Sequence, residues 1–221
     1  MNLRSKVALE LGAITVLTLS FLSLFPVRNP AVDVSLAACA LGGIALSARY
    51  TKKVVWAAAQ SPPAENRVKR CLTFAFWVTV PTALLFLAIG AYLGYRSGGW
   101  SGVADRVWNW RIVVAFGCYL PWALMQQTLF QFYLLGRLLA LFPRTKPFIA
   151  IAFTSIAVGL VHLPDIWTAL VTVAAGFIWS FMYYRYRLLL PLAVSHAALG
   201  SAFYYGLFGH DLAAEWRAIL P

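Results

Sequence analysis

Acidic side chains are scarce in this chain. Seven Asp and Glu stand against eighteen Lys and Arg in 221 residues, and charged residues of both signs make up only 11%. So little charge excludes an ordinary soluble domain, in which roughly 25% of residues are charged and about 45–50% apolar. Here 62% are hydrophobic and the mean hydropathy is +0.75. Cysteine is equally sparse: Cys39, Cys71 and Cys118 are odd in number and lack metal-ligand spacing. That excludes a disulfide framework and leaves them as small buried hydrophobes. There is no internal repeat and no low-complexity tract. The opening apolar run, Val7 to Phe25, is followed by SLFPVRNP, which lacks a small-x-small cleavage site, so it is expected to be a retained first span instead of a signal peptide.

What the chain does have is long apolar runs. A bilayer core needs about 20 apolar residues per helix. On that ruler seven spans are expected: Val7–Phe25, Ala31–Ala48, Leu72–Tyr95, Ile112–Leu135, Phe148–Val161, Ile166–Tyr184 and Leu188–Phe208. The fold class is therefore all-α, a polytopic membrane helical bundle of about seven transmembrane helices, with residues 1–221 forming one membrane domain. The fifth run is short, and either starts nearer Leu138 or stops inside the membrane. The net charge of +11 would point to nucleic acid in a soluble protein, yet the basic residues lie in the gaps between apolar runs. No nucleic-acid partner follows; the partner is the lipid bilayer. Counting Lys and Arg in alternate gaps puts thirteen on the side of the N-terminus and five on the other, which predicts a cytoplasmic N-terminus and an external C-terminus. The compact size and strong bias suggest a bacterial inner (plasma) membrane. AAAQSPPAENRVKR is expected to be a cytoplasmic loop or surface helix near anionic headgroups, and RSGGWSGVADRVWNWR an interfacial segment anchored by Trp100, Trp108 and Trp110. Gly42-Gly43, Gly90 with Gly94, and Gly159 are small enough to let helices approach closely.

Polar side chains inside these runs need a reason to be there. In MQQTLFQFYLLGRL, Gln127 and Gln131 lie four residues apart and share a helical face, with Gln126 about 100° round from Gln127. An unpaired buried amide costs roughly 2 to 7 kcal/mol, so the three are expected to face protein or trapped water. His162 in VGLVHLPD and His196 in LAVSHAALGS are the next candidates. A lone histidine near a helix end is commonly a hydrogen-bonded structural residue, but ionisable groups within a membrane default to function. Pro164 and Pro191 stand nearby, where freed backbone groups would widen a polar pocket. Glu10 is expected to snorkel, Asp33 and Asp105 to be interfacial, and His210 with Asp211 to lie in an exposed tail.

The order of these elements resembles the CPBP intramembrane proteases, the group of type II CAAX prenyl endopeptidases and lysostaphin-resistance-like proteins. That family has a Glu-Glu-x-x-x-Arg motif, usually with Phe before the Arg, then a motif ending in His, then His-x-x-x-Asn. Here the first aligns with Gln126, Gln127, Phe130 and Gln131, the second with His162, and the third with His196 and Gly200. The resemblance covers roughly residues 112–208, a CPBP-like core that includes the Gly176 helix and the Tyr-Arg-Tyr-Arg turn before the last span. It implies an intramembrane endopeptidase in which Glu and His activate water while a further His and Asn stabilise the oxyanion.

In this chain both motif glutamates are glutamine, the Arg position is Gln131 and the Asn position is Gly200. A carboxamide cannot act as a general base near neutral pH, and base assistance is typically worth about 10²- to 10⁴-fold. The resemblance therefore implies a weakly active hydrolase or a pseudoprotease acting on a membrane-embedded or lipidated peptide. In the hydrolase, His162 and His196 form the water-activating and oxyanion-stabilising pair, and Gln126 and Gln127 orient water or substrate. The exchange is concerted: losing Glu while keeping Arg would strand a charge in the membrane, whereas the neutral set can hydrogen-bond internally. On depth, Gln126 and His196 meet in the inner half of the membrane, while His162 joins them only if the turn after it is recessed. The alternative is a non-catalytic binding, scaffold or transport protein using the same residues. Bis-histidine haem ligation would need His162 and His196 at equal depth, and zinc would need Asp165 as a strained third ligand. Neither a cofactor nor a metal is expected.

Overall fold

The computed structural model describes residues 3–24, 35, 38–43, 66–142 and 146–210. Among them the chain is all-helical, with no strand. We label the helices α1 (Leu3–Leu24), α2 (Arg67–Arg106), α3 (Arg111–Gln127), π1 (Thr128–Leu135), α4 (Gly136–Leu141), α5 (Pro147–Leu160), α6 (Ile166–Tyr186), α7 (Leu190–Ser201) and π2 (Ala202–Leu207). Three described helices are long and apolar enough to cross a membrane: Arg67–Arg106, Arg111–Leu141 and Ile166–Tyr186, with Pro147–Leu160 a shorter apolar helix. Most of the expected second span, Ala31–Ala48, lies outside the described residues, as do Asp33, Asp211 and most of the polar connection before α2. The fifth span starts at Pro147, and Leu138 belongs to α4, so its shortness is real and is not recovered at its N-terminal end.

The helices divide into two compact units. The first holds α1 and residues 127–189. Its core is the hairpin of α5 and α6, against which π1 packs, while α1 lies on α4. The hairpin closes tightly where side chains are missing: a Cβ on Gly159 would press into Val173 and the Ala169 carbonyl, and one on Gly176 into Val158. Asp165 caps α6, its carboxylate accepting from the backbone N–H of Trp167 at 3.1 Å and of Thr168 at 3.2 Å, and from the Thr168 hydroxyl. These bonds, the Thr168 hydroxyl foremost, hold the Asp165 carboxyl below its ordinary value, with His162 adding a smaller electrostatic pull. At the other end Arg187 stops α6 in the left-handed region (φ 55), with its guanidinium over the Tyr183 and Tyr184 rings at 5.4 and 5.8 Å.

The second unit holds residues 65–126 and the chain from 190 onward. Here α2 packs along α7 and π2. Gly90 lies so close to Gly206 that a Cβ would run into its carbonyl, and Gly94 meets Gly102 in the same way. The second contact exists because α2 breaks at Gly98 and Gly99, the latter at φ 61, a conformation that favours glycine. Beyond the break, Trp100, Trp108 and Trp110 are exposed, in keeping with an interfacial segment. Arg106 donates to the Leu207 carbonyl at 2.8 Å, satisfying one acceptor left over at the end of π2.

Three expectations are corrected. Only Cys71 is buried; Cys39 and Cys118 are exposed, because a thiol is apolar enough to sit on the outer face of a membrane helix. Pro191 is the second residue of α7, where its missing N–H would have had no helical partner, so it frees no carbonyl there. The prolines inside helices are instead Pro81 in α2 and Pro121 in α3. Glu10 does not snorkel: it pairs with Arg137, which belongs to α4 and is 2% exposed, not to a connecting loop. Arg137 Nε lies 3.2 Å from Glu10 Oε2, its Nη2 lies 3.4 Å from Oε1, and the Tyr133 hydroxyl donates to the same carboxylate. The Tyr133 ring lies under the guanidinium at 5.0 Å. A buried arginine in an apolar helix is thus neutralised by the carboxylate of α1.

Candidate functional site

The motif helix does not stay α-helical. From Thr128 to Leu135 it opens into a π-helix, whose i→i+5 bonding inserts extra residues into each turn. Gln127 and Gln131 stand at the entrance to that segment and inside it, and both are buried. Gln127 is the residue before the π-helix, with φ −64 and ψ −33, and Gln131, Tyr133 and Leu135 are its buried members. Such π segments inside α-helices occur disproportionately at functional sites.

In the first unit, Gln131 is 1% exposed and neither its Oε1 nor its Nε2 has a hydrogen-bond partner among the described residues. A buried amide with both a donor and an acceptor unspent is costly, on the order of 1–3 kcal/mol for each group. Gln127 is buried as well. His162 sits in the turn after α5, with Nδ1 2.8 Å from the Val158 carbonyl. A carbonyl only accepts, so Nδ1 carries the hydrogen, and in the neutral ring Nε2 holds the lone pair. The fold thereby selects the tautomer that can accept a proton at Nε2. Asp165, three residues on, is committed to capping α6.

In the second unit, Gln126 is half-buried near the end of α3, and its Oε1 is buried without a partner among the described residues. His196 and Gly200 lie one turn apart in α7, immediately before the second π-helix, π2. The Tyr119 ring packs edge-on to His196, with centroids 5.7 Å apart and planes at 76°. Behind it, Tyr119, Ala123 and Ala197 form a small core with Phe116, Leu120 and Trp122. The Thr79 hydroxyl donates to Ser195 Oγ at 2.6 Å, fixing the turn that carries His196 against α2.

The expected site residues are thus divided between the units, Gln127, Gln131 and His162 in the first, Gln126, His196 and Gly200 in the second. Tyr119 was missed by sequence reasoning. An aromatic residue in an apolar helix carries no signal of its own.

Long apolar helices, buried glutamines and a buried histidine within them, and basic residues in the gaps define the class: an all-helical integral membrane protein. Residues 107–201 match the family model described as Rce1-like, type II CAAX prenyl endopeptidase Rce1-like, a stretch that contains Gln126, Gln127, Gln131, His162, His196 and Gly200. That match makes this stretch similar to the CAAX protease-like proteins of the CPBP family. No curated protein and no solved structure matches it.

Proposed function

We propose that this protein captures a membrane-embedded or lipidated peptide and hydrolyses it slowly, as a CPBP-family endopeptidase whose motif carboxylates have become carboxamides. The observation that carries the reading is Gln131, whose buried amide keeps both a donor and an acceptor unspent among the described residues. A peptide bond offers the complementary pair. In this reading Gln131 binds the backbone of the substrate, and the resemblance implies the other roles: His162 takes the proton of the attacking water, His196 stabilises the oxyanion, and Gln126 and Gln127 orient water or substrate. The position of Gly200 contributes no side chain to that oxygen. Without a carboxylate base the rate falls by about 10²- to 10⁴-fold relative to a glutamate enzyme. The chain forms one membrane domain of about seven spans, in a bacterial inner membrane, with the N-terminus in the cytoplasm.

The test is cleavage of an unselected peptide and membrane-protein library by the purified protein in lipid nanodiscs, read by mass spectrometry against His162→Ala and His196→Ala. Slow products that vanish in both variants are expected. Retained peptide capture without products reduces the function to recognition. Products indifferent to both substitutions, or neither products nor capture, overturn the reading.

A further inference from the structure

The loss of a side chain at position 200 is matched by an aromatic ring placed where that side chain would go. A Cβ built on Gly200 would meet Tyr119 at Cε1 (2.5 Å), Cδ1 (3.0 Å) and Cζ (3.1 Å). An asparagine at 200 therefore could not stand beside Tyr119 as it is placed: the two residues compete for one volume. The phenolic oxygen is bonded to Cζ, so it lies one bond beyond the volume that an asparagine Cβ would enter. Both groups are hydrogen-bond donors of the kind found in oxyanion holes.

Three further features set Tyr119 apart from a space-filling aromatic. Its ring meets the His196 ring edge-on at 5.7 Å, so it borders the histidine to which the resemblance gives oxyanion stabilisation. It is 8% exposed, so its ring is held inside the unit and is not a lipid-facing aromatic. Finally, Ala123 and Ala197 are the neighbours it packs on, small residues that hold the ring without offering the hydroxyl an alternative acceptor on a side chain.

We propose that Tyr119 supplies, from α3, the hydrogen-bond donor that position 200 has lost, so that Tyr119 and His196 together hold the substrate carbonyl oxygen. The inference rests on the peptide-hydrolase reading above and deepens it. As water adds, a bond forms between its oxygen and the carbonyl carbon, its proton passes to the base that the resemblance implies, and the C=O electron pair moves onto oxygen, where the Tyr119 hydroxyl donates to it. Collapse re-forms C=O, breaks the C–N bond and returns the proton to the leaving amine. Tyr119 keeps its own proton throughout.

The experiment compares the full-length protein in nanodiscs with Tyr119→Phe, Tyr119→Ala and the double variant Tyr119→Ala/Gly200→Asn. Two quantities are read: turnover of a library-derived peptide, and affinity for its phosphinate analogue, which carries the tetrahedral oxyanion, against affinity for the peptide itself. Phenylalanine fills the same volume, so a packing role leaves Tyr119→Phe unchanged. A donor role lowers its kcat by about 10²- to 10³-fold with KM moved by no more than about twofold, and weakens phosphinate binding while sparing the peptide. The double variant should recover at least about tenfold over Tyr119→Ala, because asparagine then enters the vacated volume. If Tyr119→Phe matches the parent in turnover and in phosphinate preference, the inference is overturned and the hydrolase reading stands. If the parent binds peptide without cutting it, the phosphinate preference alone decides. If it neither cuts nor binds, the reading falls and the role of Tyr119 falls with it.

Discussion

Replacing Glu10 with glutamine removes one negative charge from beside a guanidinium that has almost no contact with solvent. Arg137 is 2% exposed and Glu10 24%, so the two halves of the pair are unequally buried, and that inequality sets the size of each effect. Glu10→Gln leaves Arg137 charged and buried. Removing one partner of a buried pair costs about 3–5 kcal/mol, and the Tyr133 ring at 5.0 Å returns about 0.5–2 kcal/mol of it. A net loss of about 1–4.5 kcal/mol follows. Arg137→Met instead leaves a carboxylate that is 24% exposed and still accepts from the Tyr133 hydroxyl, so about 1 kcal/mol is expected. In Glu10→Leu/Arg137→Met neither charge remains, and apolar replacement of a buried pair is often neutral or stabilising. The order of stability should therefore be Glu10→Gln lowest, Arg137→Met next, and the double variant near the parent. Equilibrium unfolding of the purified protein in mixed micelles, followed by circular dichroism, measures all four. A double variant equal to the sum of its singles, or Arg137→Met falling below Glu10→Gln, would refute the reasoning.

Other perturbations follow from the same geometry. Gly90→Ala forces a methyl into the Gly206 carbonyl and should cost at least about 1–3 kcal/mol, whereas Gly12→Ala, with nothing within 4 Å among the described residues, should be neutral or stabilising by up to about 1 kcal/mol; thermal unfolding separates them. Asp165→Ala removes the cap of α6 and should cost about 1 kcal/mol, seen as faster amide exchange at Trp167 and Thr168. Because the folded-state carboxyl of Asp165 is depressed, its contribution is fully present above the unfolded value and is lost as pH falls through the lower folded value. An acid titration of that exchange should lose this limb in Asp165→Asn. Arg187→Gly relieves a left-handed backbone worth about 1–2 kcal/mol at the expense of two ring contacts worth about 0.5–1 kcal/mol each, so it should lie close to the parent in melting temperature. Arg187→Ala keeps the strain, loses the rings and should melt lower.

The apolar runs made the third to sixth helices legible, because twenty or so hydrophobic residues bounded by charge leave few other structures for a chain to form. The runs at 112–135, 148–161 and 166–184 fall on the α3–π1 helix, α5 and α6 with small differences at their ends, while the run at 72–95 falls on α2, which continues through its break at Gly98 and Gly99 to Arg106. The π segments were illegible for a physical reason. TLFQFYLL is apolar apart from Thr128 and Gln131, so hydrophobic periodicity gives little leverage to choose i→i+4 over i→i+5 bonding, and packing decides. The link between Glu10 and Arg137 joins residues 127 positions apart, and one sequence holds no record of such a pairing. Of the candidate site, the glutamines and histidines announced themselves as polar groups in an apolar setting. Tyr119 did not, since only its seat against Gly200 distinguishes it from Tyr133, Tyr183 or any other buried ring.

Carboxamides at Gln126, Gln127 and Gln131, where the resemblance implies two carboxylates and a guanidinium, also change what forces can act on this helix. A membrane potential does work of about 2.3 kcal/mol per elementary charge per 100 mV, and none on a neutral amide. Gln126, Gln127 and Gln131 neither move with voltage nor exchange protons with the medium. Whatever binds them is therefore held with a strength that stays constant as the cell's energisation and acidity vary. A charged version of the same helix would sense both.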